Sequence, residues 1–208
     1  MNKAIVLLSG GLDSTTAAYW VKQHYNEIVC LSFNYGNRAQ IELEYAAKTA
    51  KKLGAEHVII NIQDTRQLFI NEDGSVPKEA PYRNCIFMLY AAALAVSRNA
   101  DSIIIGDHDD DLPDFNDSTI DSWRNLQDLI DSALPHHATK GINIVKPLMD
   151  HNKKQVIELG LELGVPYEDT MSCYRTIDGK ACGECMSCKF RLEAFQQLGL
   201  EDPGEYIK

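Results

Sequence analysis

Short apolar runs and longer amphipathic stretches alternate along the chain. Glycine or polar residues bound each short run, as is typical of buried strands, and the runs predict strands at 3–8, 27–33, 58–62, 102–105 and 142–145. The longer stretches carry apolar residues at helical spacing and predict helices at 15–25, 41–53, 84–98, 119–133, 153–163 and 189–198. Regular alternation of strand and helix predicts an α/β fold, in which a parallel sheet has helices on both faces.

Three loops of this predicted fold are polar and follow a strand directly: 9–14, 34–38 and 106–117. Ligands of parallel α/β sheets bind at the carboxyl ends of the strands. We therefore expect these loops to form the functional site. A further segment, 63–83, has mixed polarity, one glycine and two prolines, and is also predicted as a loop.

The composition is that of a globular protein, and it narrows the classes of partner. The chain has 208 residues, 45% hydrophobic and 24% charged, which fits one domain with a small appendage. Its net charge of −10 argues against nonspecific binding of nucleic acid, which selects for clustered Lys and Arg. Apolar stretches fall short of the roughly 20 residues that cross a membrane. The first strand starts almost at Met1, so we expect no signal peptide and a cytoplasmic protein.

The loop after the first strand has the chemistry of an anion site and reads Ser9-Gly10-Gly11-Leu12-Asp13-Ser14. Glycines let the backbone approach a ligand, hydroxyls and amides donate hydrogen bonds, and the next helix points its positive N-terminus at the loop. The Lys of a Walker P-loop is missing, so this is a different phosphate-binding motif. The alternative is a glycine-rich turn from strand to helix, capped by its serines.

Four of the six cysteines fall within sixteen positions: Cys173, Cys182, Cys185 and Cys188. They supply four thiolates, which is the ligand set of a closed structural zinc site, although a [4Fe–4S] cluster takes the same ligands. Cys30 and Cys85 lie far from the cluster in apolar surroundings, which argues against a disulfide framework. We predict a zinc site that fastens the C-terminal segment to the sheet.

These two motifs together resemble one enzyme family. The run Ser9 to Ser14 resembles the PP-loop of ATP pyrophosphatases, which cut ATP between its α- and β-phosphates. Its pairing with Ser172-Cys173-Tyr174 and with Cys182-Gly183-Glu184-Cys185-Met186-Ser187-Cys188 is similar to the QueC family, the 7-cyano-7-deazaguanine synthases. The likeness covers nearly the full length and includes 31–38, Arg83-Asn84, Pro147-Leu148, Lys153 and 159–166.

The resemblance implies a Rossmann-like fold of the adenine nucleotide alpha hydrolase type, with a PP-loop domain at 1–170 and a small zinc-binding segment at 171–208. It implies an ATP-dependent ligase that converts 7-carboxy-7-deazaguanine and ammonia to 7-cyano-7-deazaguanine in queuosine-type biosynthesis. The carboxylate is adenylated, ammonia displaces AMP to give an amide, and the amide is activated and dehydrated to a nitrile. The implied cofactors are ATP, Mg²⁺ and Zn²⁺, and the implied assembly is a homodimer.

The same likeness implies roles for individual residues. Nucleotide binding is expected from Leu8, Ser9, Gly10, Gly11, Leu12, Asp13, Ser14, Thr15, Thr16 and Arg38, with Asp13 holding the magnesium that bridges the phosphates. Catalysis is expected from Asp13, Ser14, Arg83 and Lys153. The positive charges of Arg83 and Lys153 would stabilise the negative charge of the transition state. The alternative for either cation is a surface charge. Substrate contacts are expected from Tyr35, Arg83, Asn84, His108 and Asp114.

Two loops depart from the family pattern. The loop before Arg83-Asn84 is shorter than in the family and ends Ala80-Pro81-Tyr82. The loop after the fourth strand has Phe115 and Asn116 where the family has Cys and Arg, and Arg is the usual bidentate partner of a carboxylate. Three alternatives follow. They are a divergent enzyme that stops at an amide or joins the acid to another nucleophile, including a protein acceptor; a tRNA-modifying PP-loop enzyme; and a zinc-stabilised binding module.

Overall fold

The computed structural model describes residues 2–34, 37–62, 82–108 and 119–207, except for the side chains of 37–40. The strands of this described part are β1 Lys3–Leu7, β2 Glu27–Asn34, β3 Glu56–Asn61, β4 Ser102–Ile104 and β5 Asn143–Val145. Its α-helices are α1 Leu12–His24, α2 Asn37–Leu53, α3 Arg83–Arg98, α4 Ile120–Ser132, α5 Lys153–Glu162 and α6 Met186–Gln197. A 3₁₀ turn covers Tyr167–Asp169. The predicted alternation of strands and helices is confirmed.

The described strands form one parallel sheet in the order β3-β2-β1-β4-β5. β1 pairs with β2 through Ile5 and Val29 and with β4 through Ile5 and Ile103. The chain adds strands on one side of β1 and then on the other, so the order reverses between β1 and β4. Ligands bind in the crevice at such a reversal, which directs attention to the loops after β1 and β4.

Helices cover both faces of the sheet, as predicted. On one face, Ala4 and Val6 pack with apolar residues of α1, α2, α5 and α6. On the other face, Ile5 packs in a core that includes Met88 of α3 and Trp123 of α4. Successive side chains of β1 thus enter opposite cores, which is the arrangement of a central strand buried on both faces.

Three helices begin at least three residues earlier than predicted. α1 begins at Leu12 rather than at 15, α2 at Asn37 rather than at 41, and α6 at Met186 rather than at 189. In each case the first turn carries polar or cysteine residues, which the apolar periodicity of the helix does not register. The early starts matter because the first turn of α1 belongs to the candidate site.

A close contact fixes the spacing between α1 and α5. The hydroxyl of Tyr167 lies 2.9 Å from Thr16 Oγ1 on α1 and donates to the Val156 carbonyl of α5 at 3.2 Å. A Cβ at Gly160 of α5 would overlap this hydroxyl, so only glycine admits the tyrosine ring. The two helices joined in this way each carry a charged residue of the site described below.

The C-terminal segment packs against the rest of the protein. α6 contacts α5, and Ala181 pairs with Tyr206 beside the cysteine cluster. The predicted division of the chain at residue 170 stays a prediction. Within the described ranges, no helix combines the length and the apolar character that a membrane crossing requires.

Candidate active site and metal centre

The loop 9–14 joins β1 to α1 and lies directly beneath α2. Gly10 has a φ of +82°, and a Cβ at this position would overlap the Glu42 carbonyl oxygen and lie 2.6 Å from the Ala46 nitrogen. Glycine therefore satisfies both the left-handed dihedral and the close approach of the α2 backbone.

Hydrogen bonds inside the loop hold its two serines together. Ser9 Oγ lies 3.0 Å from Ser14 Oγ, and Ser14 Oγ donates to the Gly11 carbonyl at 3.2 Å. The Gly11 N–H donates to Ser9 Oγ at 3.3 Å. Gly11 is also the N-cap of α1 and has no side chain with which to cap the helix. The arrangement is that of an anion site at a helix N-terminus.

A cleft of about 290 Å³ opens above the loop at the carboxyl edge of the sheet. Arg83 and Asn84 are the first two residues of α3, and they reach the cleft from the face of the sheet opposite to α1. The structure thus brings predicted phosphate and substrate residues to one cleft. Seven of the predicted residues line it: Leu8, Ser9, Gly11, Asp13, Ser14, Arg83 and Asn84.

The other predicted nucleotide and substrate residues, His108 aside, are buried or lie outside the described part. Gly10 is covered by α2, and Leu12, Thr15 and Thr16 are buried in the core. Those outside the described part are Tyr35, Asp114 and the side chain of Arg38. The roles predicted for all of these side chains stay predictions.

Asp13, Lys153 and His108 form a charged group at the mouth of the loop. Lys153 Nζ donates to Asp13 Oδ1 at 2.7 Å and lies 2.7 Å from His108 Nε2. His108 Nε2 is 3.5 Å from the same Asp13 oxygen, and the residue is 2% exposed. His108 therefore lies behind the ion pair, in contact with both Lys153 and Asp13.

Separate elements deliver these three residues. Asp13 lies in the first turn of α1, His108 follows β4, and Lys153 begins α5 after a capping box formed by Asn152 and Gln155. Burial raises the pKa of Asp13, but the charge of Lys153, with His108 nearby, outweighs burial and holds this pKa below its ordinary value of 3.8. Asp13 is therefore a carboxylate at neutral pH, the form that binds a divalent cation.

The cleft has further walls, formed by two stacked aromatic rings, Asp107 and Tyr174. Phe33, near the end of β2, stacks on Phe87 of α3 with ring centroids 4.0 Å apart, and both line the cleft. Asp107 and Tyr174 line it as well. Position was the only signal for the aromatic residues, because Phe33 lies near the end of β2 and Tyr174 follows the predicted metal ligand Cys173. Asp107 belongs to the acidic run 107–111, whose carboxylates predict a role in binding magnesium or a guanine-like edge.

Four cysteine sulfurs converge in the C-terminal segment, and all four residues are buried. The four Sγ atoms lie within 4.8 Å of one another, with 3.4 Å between Cys185 and Cys188 and 4.0 Å between Cys182 and Cys188. Zinc–sulfur bonds of about 2.3 Å place tetrahedral ligands roughly 3.8 Å apart. Cys173 completes the set, and the donor atoms and their spacing fit a four-coordinate metal ion.

Backbone N–H groups are directed at these sulfurs. Cys182 N–H donates to Cys173 Sγ at 3.2 Å, and Cys185 N–H donates to Cys182 Sγ at 3.3 Å. Burial raises the pKa of Cys182, but amide donors from Glu184 and Cys185 and neighbouring thiols lower it to about 6. Cys182 is thus a thiolate at neutral pH, which is the form that binds metals.

Comparison with known sequences identifies the family. The sequence profile described as "Queuosine biosynthesis protein QueC" matches residues 3–199. The 7-cyano-7-deazaguanine synthase of Methanoculleus marisnigri is 38% identical to this chain over 226 residues, which cover 99% of each chain. The synthase of Nitratiruptor sp. is 37% identical with 98% of each chain covered, and that of Acinetobacter baylyi is 38% identical with 99% of this chain and 95% of the relative covered.

Solved structures show the same fold at lower identity. NMN synthetase from Francisella tularensis has a TM-score of 0.58 and 22% identity and is matched over 96% of this chain and 78% of its own. The U34-tRNA thiolase NcsA from Methanococcus maripaludis with its [4Fe-4S] cluster has a TM-score of 0.59 and 17% identity, over 95% and 66%. These likenesses extend to the fold alone, whereas the sequence match spans nearly the whole chain, and this protein belongs to the QueC family.

Proposed function

We propose that this protein is an ATP-dependent ligase that makes 7-cyano-7-deazaguanine from 7-carboxy-7-deazaguanine and ammonia. The observation that carries the proposal is the cleft lined by the loop 9–14 and Arg83, with Asp13 of this loop paired to Lys153, in a chain of the QueC family. Curated relatives that match over the full length are named for this activity.

In this proposal the ATP phosphates bind at the loop 9–14, and the base lies over the carboxyl ends of β1 and β2. The serine hydroxyls and the N-terminus of α1 donate to phosphate oxygens, and Leu8 and Phe33 offer apolar surface to the base. Asp13 would hold the magnesium ion, which supplies positive charge to the departing pyrophosphate.

The first activation makes an acyl adenylate. A carboxylate oxygen of the substrate attacks the α-phosphorus of ATP, the bond to the bridging oxygen breaks, and pyrophosphate leaves with that electron pair. Lys153, fixed 2.7 Å from Asp13, and Arg83 across the cleft stabilise the charge that develops on the phosphoryl oxygens. Otherwise the protein mainly orients the reacting groups.

Ammonia then attacks the acyl carbon, AMP leaves and a proton is released, which gives the primary amide. In the second activation, the amide oxygen attacks the α-phosphorus of a second ATP, and pyrophosphate leaves again. Loss of AMP and of the two remaining protons on nitrogen gives the nitrile. One cleft can serve both activations because the amide oxygen replaces the carboxylate oxygen as the nucleophile.

Polar groups that line the cleft supply the substrate side of the proposal. Asn84 lines the cleft and can bond to the deazaguanine edge. Asp107 also lines the cleft, and its carboxylate can accept the N–H groups of a guanine-like edge. His108 is buried behind Lys153, so its effect on the substrate passes through that ammonium.

The four cysteines would hold a zinc ion in a closed site, because protein sulfurs take all four tetrahedral positions. Such a site stabilises the fold and presents no reacting water. A homodimer, which rests on the family likeness, completes the proposal and is measured by light scattering during size-exclusion chromatography.

The test is mass spectrometry of the products formed from magnesium-ATP, ammonium and 7-carboxy-7-deazaguanine. We expect the nitrile, with AMP and pyrophosphate formed in twice its molar amount. Amide that accumulates without nitrile would overturn the proposal in favour of a divergent enzyme. Nucleotide that is left uncleaved with this substrate would reject the substrate.

A further inference from the structure

The peptide segment that supplies one metal ligand is also bonded to the phosphate loop. Met171 N–H donates to the Gly10 carbonyl at 2.9 Å, and Leu12 N–H donates to Ser172 Oγ at 3.2 Å. Cys173, the next residue, belongs to the four-sulfur cluster. A single peptide bond therefore separates a metal ligand from a residue that contacts the start of α1.

The contact made by Ser172 replaces an ordinary helix cap. The first amides of an α-helix lack partners within the helix, and an N-cap side chain usually accepts from one of them. The N-cap of α1 is Gly11, which has no side chain. Ser172 lies 160 positions away in sequence and supplies the oxygen for the Leu12 N–H, at the helix end that faces the phosphate loop.

The other side of this segment is tied to the cluster. Arg175 N–H and Cys182 N–H both donate to Cys173 Sγ at 3.2 Å, and Tyr174 N–H donates to Cys185 Sγ at 3.5 Å. The backbone at 172–175 is therefore held by α1 at one end and by the sulfurs at the other. Any change that displaces Cys173 also displaces the hydroxyl of Ser172.

We propose that Ser172 is a positioning residue that couples the metal site to the nucleotide site. The inference rests on the proposed function for the identity of the nucleotide. A bound metal ion fixes the position of Cys173. Because Ser172 is the preceding residue, its hydroxyl is then also fixed, and this hydroxyl holds the first amide of α1. Coupling between two sites is reciprocal, so a bound nucleotide must also strengthen retention of the metal.

Metal release to a chelator tests this coupling in the protein as purified with its metal. The release rate to 4-(2-pyridylazo)resorcinol is measured with and without magnesium α,β-methylene-ATP, whose binding is confirmed by calorimetry. We expect nucleotide to slow release about fivefold in the wild type, which is the effect of one neutral hydrogen bond. Ser172→Ala should keep full metal content, bind the analogue about fivefold more weakly and lose the effect of nucleotide on release.

Two further variants separate coupling from general damage. Ser187→Ala makes the same substitution between the ligands Cys185 and Cys188 and should behave as wild type in both measurements. Ser172→Thr keeps the hydroxyl and should restore most of the nucleotide effect. A purely stabilising role for Ser172 would lower the melting temperature of Ser172→Ala but leave the effect of nucleotide on metal release in place.

Measurements on the wild type alone can reject the coupling, even if a variant folds poorly. If it binds the analogue and releases metal at the same rate with and without it, the coupling is rejected and the proposed function stands. Retention of the full nucleotide effect by Ser172→Ala rejects Ser172 as the carrier. If the wild type does not bind the analogue, the proposed nucleotide site fails and the coupling fails with it.

Discussion

The phosphate loop and the cysteine cluster are both short turns that gather polar atoms, yet they are built in opposite ways. In the loop, Gly10 lies under α2, and the N-terminal turn of α1 is directed at an open cleft. In the cluster, the sulfurs face one another, and backbone N–H groups such as that of Cys182 are directed at them. The loop presents hydrogen-bond donors to the open cleft, whereas the cluster directs its sulfurs and N–H groups toward its own centre.

The two sites also differ in how far along the sequence the groups that shift their pKa values lie. The pKa of Asp13 is held down chiefly by Lys153, which is 140 positions away and overcomes the effect of burial. The pKa of Cys182 is lowered, against burial, by amides and thiols that include Cys185, three positions away. The candidate active site is therefore assembled by the fold, and the cysteine cluster is assembled mostly by local chain geometry.

The largest effect should come from removing a metal ligand. Cys185→Ala leaves three sulfurs, and we expect loss of bound metal and of most soluble, folded protein, because metal binding contributes directly to folding free energy. Metal content per chain and near-ultraviolet circular dichroism measure both effects. Cys30→Ala is the control, since it removes a buried thiol of β2 outside the cluster and should keep full metal content. Full metal content in Cys185→Ala would contradict the assignment of this ligand.

Removal of the charge at residue 13 should abolish turnover while the metal cluster stays filled. Asp13→Asn keeps the shape of the side chain but loses the carboxylate, and we expect the rate of AMP formation to fall about a thousandfold. Asp121→Asn removes another first-turn acid, one that pairs with Arg124 on the surface of α4, and should leave the rate unchanged. Near wild-type turnover in Asp13→Asn would place the phosphate chemistry elsewhere.

Substitution of two glycines separates dihedral strain from close packing. Gly10 and Gly54 both have positive φ, of +82° and +66°, but a Cβ at Gly54 meets nothing within 4 Å. We expect Gly54→Ala to lower the free energy of unfolding by about 1 kcal/mol. Gly10→Ala should lower it by roughly 3 kcal/mol, because the α2 backbone must also move. Urea unfolding measures both values, and equal losses would show that α2 yields to the added methyl group.

The smallest effect should be a shift in pH dependence. In the wild type, the pKa of Asp13 lies below its ordinary value of 3.8, so the stabilisation that its carboxylate gives is fully present above that value and is lost as pH falls below it. In Lys153→Met burial dominates, so the pKa of Asp13 should rise and binding of magnesium α,β-methylene-ATP should weaken from a higher pH downward.

Calorimetric titrations at several pH values measure how the affinity for the analogue changes with pH, independently of its value at neutral pH. Lys154→Met is the matched control, because Lys154 pairs with Glu158 on the surface of α5 at 3.5 Å. Its pH profile should follow that of the wild type. The same profile in Lys153→Met would mean that another group, rather than Lys153, sets the charge state of Asp13.

Features that depend on a contiguous stretch of chain could be predicted from the sequence. The period of apolar residues located the strands and helices, and the glycines and serines of 9–14 marked a loop that lines the cleft. The cysteine spacing at 182–188 identified the metal site for the same reason, since its geometry is formed within one turn.

Contacts between distant segments could not be predicted in this way. Lys153 was a candidate cation with a surface charge as its alternative, and only the docking of α5 on α1 brings it to 2.7 Å from Asp13. His108 was predicted to contact substrate, but no periodicity indicated that its ring is buried behind Lys153. Ser172 belonged to a recognised motif, yet its bond to Leu12 depends on the three-dimensional path of the chain.

Because Tyr167 packs against Gly160, the tolerance of this enzyme to mutation depends on positions 160 and 167, which do not line the cleft. Thr16, which bonds to that tyrosine, lies one helical turn after Asp13, and Gly160 lies two turns after Lys153. The separation of Asp13 and Lys153 is thus set by a packing contact between their helices. A library that varies only the cleft would leave this constraint unseen, and one that varies residue 160 would lose activity in nearly every member.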